Sequence, residues 1–211
     1  MINKDTKLYG SFSNNPGNNG CIFFNNEFKK NNIDAIYKSF YSTDAKKLVE
    51  SVRHLNFSGF AISMPLKVEI IKHLDIIDDV ALKIGAVNTV INNNGILTGY
   101  NTDWLGVYNY IEPLLNYIGE TVVILGNGGF SKAIQYSLDK LNIKYEIITR
   151  KDWNKITKLE YSITTVFNAT PIDVFIKDVN LIDGRPFTIT GKEIAELQAK
   201  EQFYLYTGIK I

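Results

Sequence analysis

Short apolar runs and amphipathic windows follow one another along the chain in a regular order. "KLYGSF" (residues 7–12) and "IDAIYKSF" (33–40) predict strands, with the turn-rich "SNNPGNNG" and a helical window "CIFFNNEFKKNN" between them. "STDAKKLVESVRHLN" predicts a helix with Thr43 or Asp44 as N-cap and Leu48, Val52 and Leu55 on one face. "GFAISM" predicts a third strand, and Pro65 just after it suits the first turn of another helix. "VALKIGA" reads as helical, and "AVNTVINNNGILTGYN" predicts a hairpin turning at Asn93-Asn94-Gly95. A further helix is expected from Thr102-Asp103, with Thr102 as its cap.

The second half restarts the pattern. "TVVILG" is a continuous apolar run, as expected of a strand covered on both faces, and "FSKAIQYSLDKLN" follows it as a helix. "YEIITR" and "TTVFNA" predict two more strands, with a short helix "DWNKITKLE" between them. "GKEIAELQAKEQFYLYTG" predicts a long closing helix stopped by Gly208. Strand and helix alternate throughout, so the class is α/β with mostly parallel sheets. The seam between two units is expected within residues 103–120, with the last helix folding back onto the first unit.

Composition narrows the function classes. Lys and Arg number 23 against 22 acidic residues, a net charge of +1, which offers no attraction to nucleic acid or an anionic membrane. The single cysteine, Cys21, excludes an internal disulfide and suits a reducing, cytoplasmic setting. The opening "MINKDTK" is polar, so no signal peptide is expected, and no apolar run approaches membrane-spanning length. With only His54 and His73, no His-rich metal site or histidine-based triad is expected, and no metal is assigned.

Chemistry is suggested at three places. In "VVILGNGGFSKA" a strand ends at Gly126, and Gly128 and Gly129 open a helix, a turn that lets backbone approach a pyrophosphate at a helix N-terminus. Ser131 stands where the usual pattern has a third glycine. About twenty residues on, where an NAD site wants an acidic residue for the ribose, the chain has Thr149, Arg150 and Lys151, which suit a 2′-phosphate and so NADP. Elsewhere Lys67, Asn88, Asn101 and Asp103 lie in or at the ends of apolar runs, where polar side chains need partners that a polyhydroxylated ligand could supply.

The segments "SMPLK", "IGAVNTV", "LTGYNTDWLG", "LGNGGFSKA", "FNAT" and "QAKEQFYLYTG" resemble, in order and setting, the shikimate dehydrogenase family. The loop "PGNNGCIFFNNEF" is similar to the divergent shikimate dehydrogenase-like subgroup. The resemblance implies a substrate domain of residues 1–103 completed by the helix 192–211, and a truncated Rossmann-like NADP domain of residues 104–191. It implies an NADP-dependent oxidoreductase of small molecules, in aromatic amino acid and chorismate biosynthesis, working as a monomer or homodimer. Lys67 and Asp103 match the catalytic pair, and Ser63, Asn88 and Gln198 match substrate contacts. Gly126, Asn127, Gly128, Gly129 and Phe130 match the phosphate loop. Thr149, Arg150 and Lys151 match the 2′-phosphate clamp, and Asn168, Ala169, Thr170 and Gly191 match positions lining the nicotinamide.

Two departures bear on function. Where the family places a Ser-x-Ser pair for the substrate carboxylate, this chain has Asn18 and Gly20. The chain is also short, with the deficit between Arg150 and Phe167 and between Thr170 and Gly191, so at least one βα unit and the tyrosine-bearing strand of the cleft are expected to be missing. A catalytically weak relative that binds a small ligand or nucleotide is the competing expectation.

Overall fold

The computed structural model describes residues 2–119, 121–158, 165–177 and 179–211. Two compact units emerge: residues up to Thr102 together with Ala199–Ile211, and Asp103–Gln198.

The first unit carries β1 (Lys7–Ser13), α1 (Asn19–Lys30), β2 (Ala35–Tyr41), α2 (Ala45–His54), β3 (Gly59–Ile62), β4 (Ile76–Ile77), α3 (Asp79–Ile84), β5 (Thr89–Asn93) and β6 (Ile96–Tyr100). Its six-stranded sheet has the order β2-β1-β3-β5-β6-β4. β1 runs parallel to β2 and β3, whereas β5 is antiparallel to both its neighbours. Alternation along the strands sorts the side chains onto two faces. Phe12, Phe60, Ile62 and Val90 pack with Leu48 and Val52 of α2, and Tyr9 and Tyr37 pack with Phe24 and Phe28 of α1. Asp44 is the N-cap of α2, accepting from the Lys47 amide at 3.0 Å. The β5–β6 turn falls where Asn94 (φ 52°) and Gly95 (φ 91°) accept the left-handed backbone a two-residue hairpin needs.

β2 is an edge strand whose outward peptide groups need partners. Asn25 of α1 supplies them at Tyr37. Its Nδ2 donates to the Tyr37 carbonyl at 2.8 Å, and its Oδ1 accepts from the Tyr37 amide at 2.9 Å. Asn25→Ala is therefore expected to cost about 2–3 kcal/mol, since it strands two half-buried backbone groups. That corresponds to roughly 5–10 °C in a melting curve. A variant melting within about 1 °C of the parent would show that water replaces the amide.

The second unit carries α4 (Asp103–Ile111), β7 (Thr121–Leu125), α5 (Gly129–Lys140), β8 (Lys144–Ile148), β9 (Thr165–Asn168), β10 (Asn180–Asp183) and the start of α6 (Ile189–Thr207), a helix whose part from Ala199 onward belongs to the first unit. Its sheet is wholly parallel, in the order β10-β9-β7-β8. Val122, Ile124 and Phe167 pack with Ile134 and Leu138 of α5 on one face. Val123, Leu125 and Val166 pack with Ile148 and Val174 on the other, flanked by Trp153 and Ile156.

Several local expectations change. Pro65 opens no α-helix: a turn follows β3, then a 3-10 segment, Glu69–His73. Leu55 is exposed: it is the C-cap of α2, whose buried positions are Ala45, Leu48, Val49 and Val52. The helix expected from residue 152 is a 3-10 segment, Arg150–Lys158, with a non-helical Asp152, and residues 159 and 160 lie outside the described residues. β4 and β10 were not legible in the apolar pattern: β4 is two residues long, and β10, Asn180–Asp183, begins and ends on polar residues. The interval between Thr170 and Gly191 is thus short but still contains a strand. Among the described residues no helix is long and apolar enough to cross a membrane.

Candidate active site

In the first unit the polar residues gather where β1 and β3 end and the β5–β6 hairpin opens. Backbone bonds lace these loops together: Ser63 N donates to Phe12 O at 2.9 Å, Asn14 N to Met64 O at 3.2 Å, and Val87 N to Lys67 O at 2.8 Å. The last of these ties half-buried Lys67 to the segment leading into Asn88. The Asn88 amide is 3% exposed. Its Nδ2 donates to Thr102 Oγ1 at 3.0 Å, while its Oδ1 accepts from Thr102 N at 2.7 Å and Thr89 Oγ1 at 2.9 Å. Asn101 donates to Ala86 O at 2.9 Å. Such a network holds its members in single rotamers, because a buried polar group left unpaired is costly.

Gln202 completes the network and was not singled out from the sequence. Its Nε2 donates to Thr89 Oγ1 at 2.7 Å, and it is 2% exposed. Its position four residues after Gln198, beside Phe203 on an inward helix face, was the available signal. Gln198 belongs to the second unit and bonds within its own helix, to Ala195 O at 3.3 Å. Asp103 is buried at the first position of α4, also in the second unit. Ser63 and Asn18 are exposed, and Asn18 makes no side-chain cap to α1. A Cβ at Gly20 would lie 3.2 Å from the Tyr37 ring. Tyr37 stacks on Phe24 at 4.5 Å, and burial pushes its phenol pKa upward.

In the second unit the strand order reverses between β7 and β9: β8 lies on one side of β7, and β9 and β10 on the other. Such a reversal opens a crevice at the carboxyl ends of the two strands. The predicted phosphate loop starts at one of these ends and Asn168-Ala169-Thr170 at the other. Gly126 has φ +99°, and a Cβ there would meet Thr170 Cγ2 at 2.9 Å, so only glycine suits the turn. Gly128 is the N-cap of α5, without a side-chain cap and with open space where a Cβ would point. Asn127 is exposed, Gly129 is the first helical residue, and the Phe130 ring packs edge-on against Phe167. The first turn of a twelve-residue helix thus offers amides to an anion over a bare backbone, which fits a pyrophosphate. Ser131, buried where a third glycine was expected, donates to Gly126 O at 2.8 Å and braces the turn.

Asn168 Oδ1 accepts from the amide and hydroxyl of Thr170 at 3.0 and 2.7 Å, which shapes the loop after β9. At Gly191 an added Cβ would collide with the Arg185 carbonyl, so glycine has a packing reason there. Arg185 holds that turn, bonded to Asp183 and, at 2.6 Å, to Asp173. Burial works against the Asp183 charge, but the Arg185 guanidinium outweighs it and keeps the carboxyl below its ordinary range. Beyond β8, Arg150 and Lys151 are exposed, and Thr149 Oγ1 donates to Asp152 Oδ2 at 3.1 Å. Asp152 is held below the usual carboxylate range, first by Lys155 and then by Thr149.

Comparison with known proteins bears on both units. A family model for the shikimate dehydrogenase substrate binding domain matches residues 20–90. A shikimate dehydrogenase (NADP(+)) of Aquifex aeolicus is 33% identical over 219 aligned positions, which cover 100% of this chain and 77% of that protein. This chain belongs to the shikimate dehydrogenase family. Other family relatives align over less of their length. A shikimate dehydrogenase-like protein of Haemophilus influenzae is 40% identical over 64% of this chain and 49% of its own. A shikimate dehydrogenase (NADP(+)) of Pyrococcus furiosus is 38% identical over 76% of this chain and 59% of its own. Among solved family structures, a shikimate 5-dehydrogenase-like protein superimposes with a TM-score of 0.82 at 30% identity, covering 100% of this chain and 95% of that one. The two-unit α/β architecture is therefore that of the shikimate dehydrogenase family.

Proposed function

We propose that this chain is an NADP-dependent dehydrogenase that interconverts shikimate and 3-dehydroshikimate, or a close cyclic hydroxy acid. Its substrate domain is residues 1–103 with residues 192–211, and its nucleotide domain is residues 104–191. The reversal of strand order at β7 and β9, with a glycine turn at one strand end and Asn168–Thr170 at the other, carries the reading.

NADPH, when bound, supplies the hydride. Gly126, Asn127, Gly128, Gly129 and Phe130 would receive its pyrophosphate, Arg150 and Lys151 its 2′-phosphate with Thr149 beside them, and Asn168, Ala169, Thr170 and Gly191 would border the reactive ring. Lys67 gives a proton to the carbonyl oxygen that is reduced, and Asp103 fixes the neighbouring hydroxyl as its partner. Ser63, Asn88 and Gln198 orient the ring, and Asn18 with the loop amides before α1 meets the carboxylate. Gln202 acts one step behind, holding Thr89 and through it the Asn88 amide. Family relatives named shikimate dehydrogenase (NADP(+)) support the choice of coenzyme.

A second reading, a nucleotide binder of weak activity, is favoured by the four-stranded second sheet, in which β8 is an edge strand among the described residues. A fluorescence titration separates the two. NADPH is expected to bind about tenfold to hundredfold more tightly than NADH, because charge-assisted contacts contribute on the order of 1.5–3 kcal/mol. Arg150→Ala is expected to remove most of that preference. Equal affinities, or a preference unchanged in Arg150→Ala, would count against the clamp. NADPH binding without oxidation by 3-dehydroshikimate or related ring ketones would favour the binder.

A further inference from the structure

We propose that Asp152 is a specificity-determining residue of the nucleotide site, opposing a 2′-phosphate just beyond β8 and thereby keeping NADH usable; this rests on the nucleotide-binding reading above. The geometry is local. Thr149 Oγ1 donates to Asp152 Oδ2 at 3.1 Å, and Asp152 N donates to Thr149 O at 2.9 Å. A threonine hydroxyl has one proton and two acceptor lone pairs. With its proton committed to Asp152, Thr149 presents only lone pairs outward. Lone pairs repel a phosphate oxygen and accept from a ribose 2′-hydroxyl.

The charges pull in opposite directions. Arg150 and Lys151 favour the extra phosphate of NADP(H), and a carboxylate one residue further on disfavours it. Lys155 pairs with Asp152 at 3.2 Å but does not cancel it, because the two side chains are 64% and 39% exposed and solvent screens the pair. The clamp is thus a compromise between two coenzymes, and Asp152 is the term on the NADH side. As it stands, Thr149 is an acceptor rather than the phosphate donor its place suggested.

Two variants of the full chain test this, with NADPH and NADH titrated against each. Asp152→Asn removes the charge and keeps an acceptor for Thr149. Asp152→Ala removes both and frees the Thr149 proton. NADPH is expected to bind about fivefold tighter to Asp152→Asn and about tenfold tighter to Asp152→Ala, roughly the weight of one screened charge and one hydrogen bond. NADH should stay within about twofold, and the gain in Asp152→Asn should shrink between low and high salt. If Asp152 only shapes the turn, both coenzymes weaken together in Asp152→Ala, and the proposal is overturned. Unchanged selectivity in both variants overturns it as well. Failure of the parent protein to bind either coenzyme would sink the nucleotide-binding reading itself and this inference with it. That outcome is distinct from binding without a selective change, which removes the inference alone.

Discussion

Replacing Lys67 by alanine is expected to slow turnover by about 10²–10⁴-fold and to leave NADPH affinity unchanged. Ketone reduction needs a proton on oxygen as the hydride arrives at carbon, and Lys67 is the one cationic side chain in "SMPLK". The fold should tolerate the change. Lys67 is anchored through its backbone, with its carbonyl accepting from Val87 N at 2.8 Å, and the side chain is only half-buried. Lys67→Arg adds a discriminating control. It restores the charge, but a guanidinium does not release its proton, so it should rescue little of the rate. Single-turnover measurements with each variant, alongside coenzyme titrations, provide the check. Turnover within a few-fold of the parent, under conditions where chemistry limits, would make Lys67 a surface residue.

The second large effect concerns the substrate. Shikimate is expected to show a KM about ten to a thousandfold above that of a site with two serine donors on the first loop. A carboxylate leaving water must recover its hydrogen bonds, and each unmet one costs about 1–3 kcal/mol. If the lost contacts are equal in ground and transition states, the loss falls on KM rather than kcat. Asn18→Ser is the cleaner repair, because Asn18 is exposed and makes no side-chain cap to α1. Gly20→Ser brings its own penalty: the new Cβ would stand 3.2 Å from a Tyr37 ring that stacks on Phe24 and cannot retreat. Asn18→Ser should therefore lower the KM for shikimate, while the double variant also melts earlier. Steady-state kinetics with shikimate, quinate and a carboxylate-free analogue, with melting curves in parallel, decides the matter. A parent KM in the low micromolar range would show that the loop holds the carboxylate by another route.

The sequence alone determined what depends on neighbours within a few residues. The β5–β6 turn was legible because an Asn-Gly pair between alternating apolar residues favours the left-handed backbone at both positions. The α2 cap was legible because Asp44 bonds an amide only three residues away. The glycine turn after β7 was legible for the same reason: positive φ at Gly126 and the bare backbone at Gly128 are properties of the residues themselves. Only the tertiary structure decided the rest. Gln202 enters the Asn88 network across 113 residues of chain, and Asn25 reaches Tyr37 from a different element. The short strands β4 and β10 exist because β6 and β9 offer them edges, not because their own residues insist on it. The reversal of strand order between β7 and β9 is a fact about which strands pair. Pairing is settled by packing summed over a whole sheet, which no local window of sequence contains.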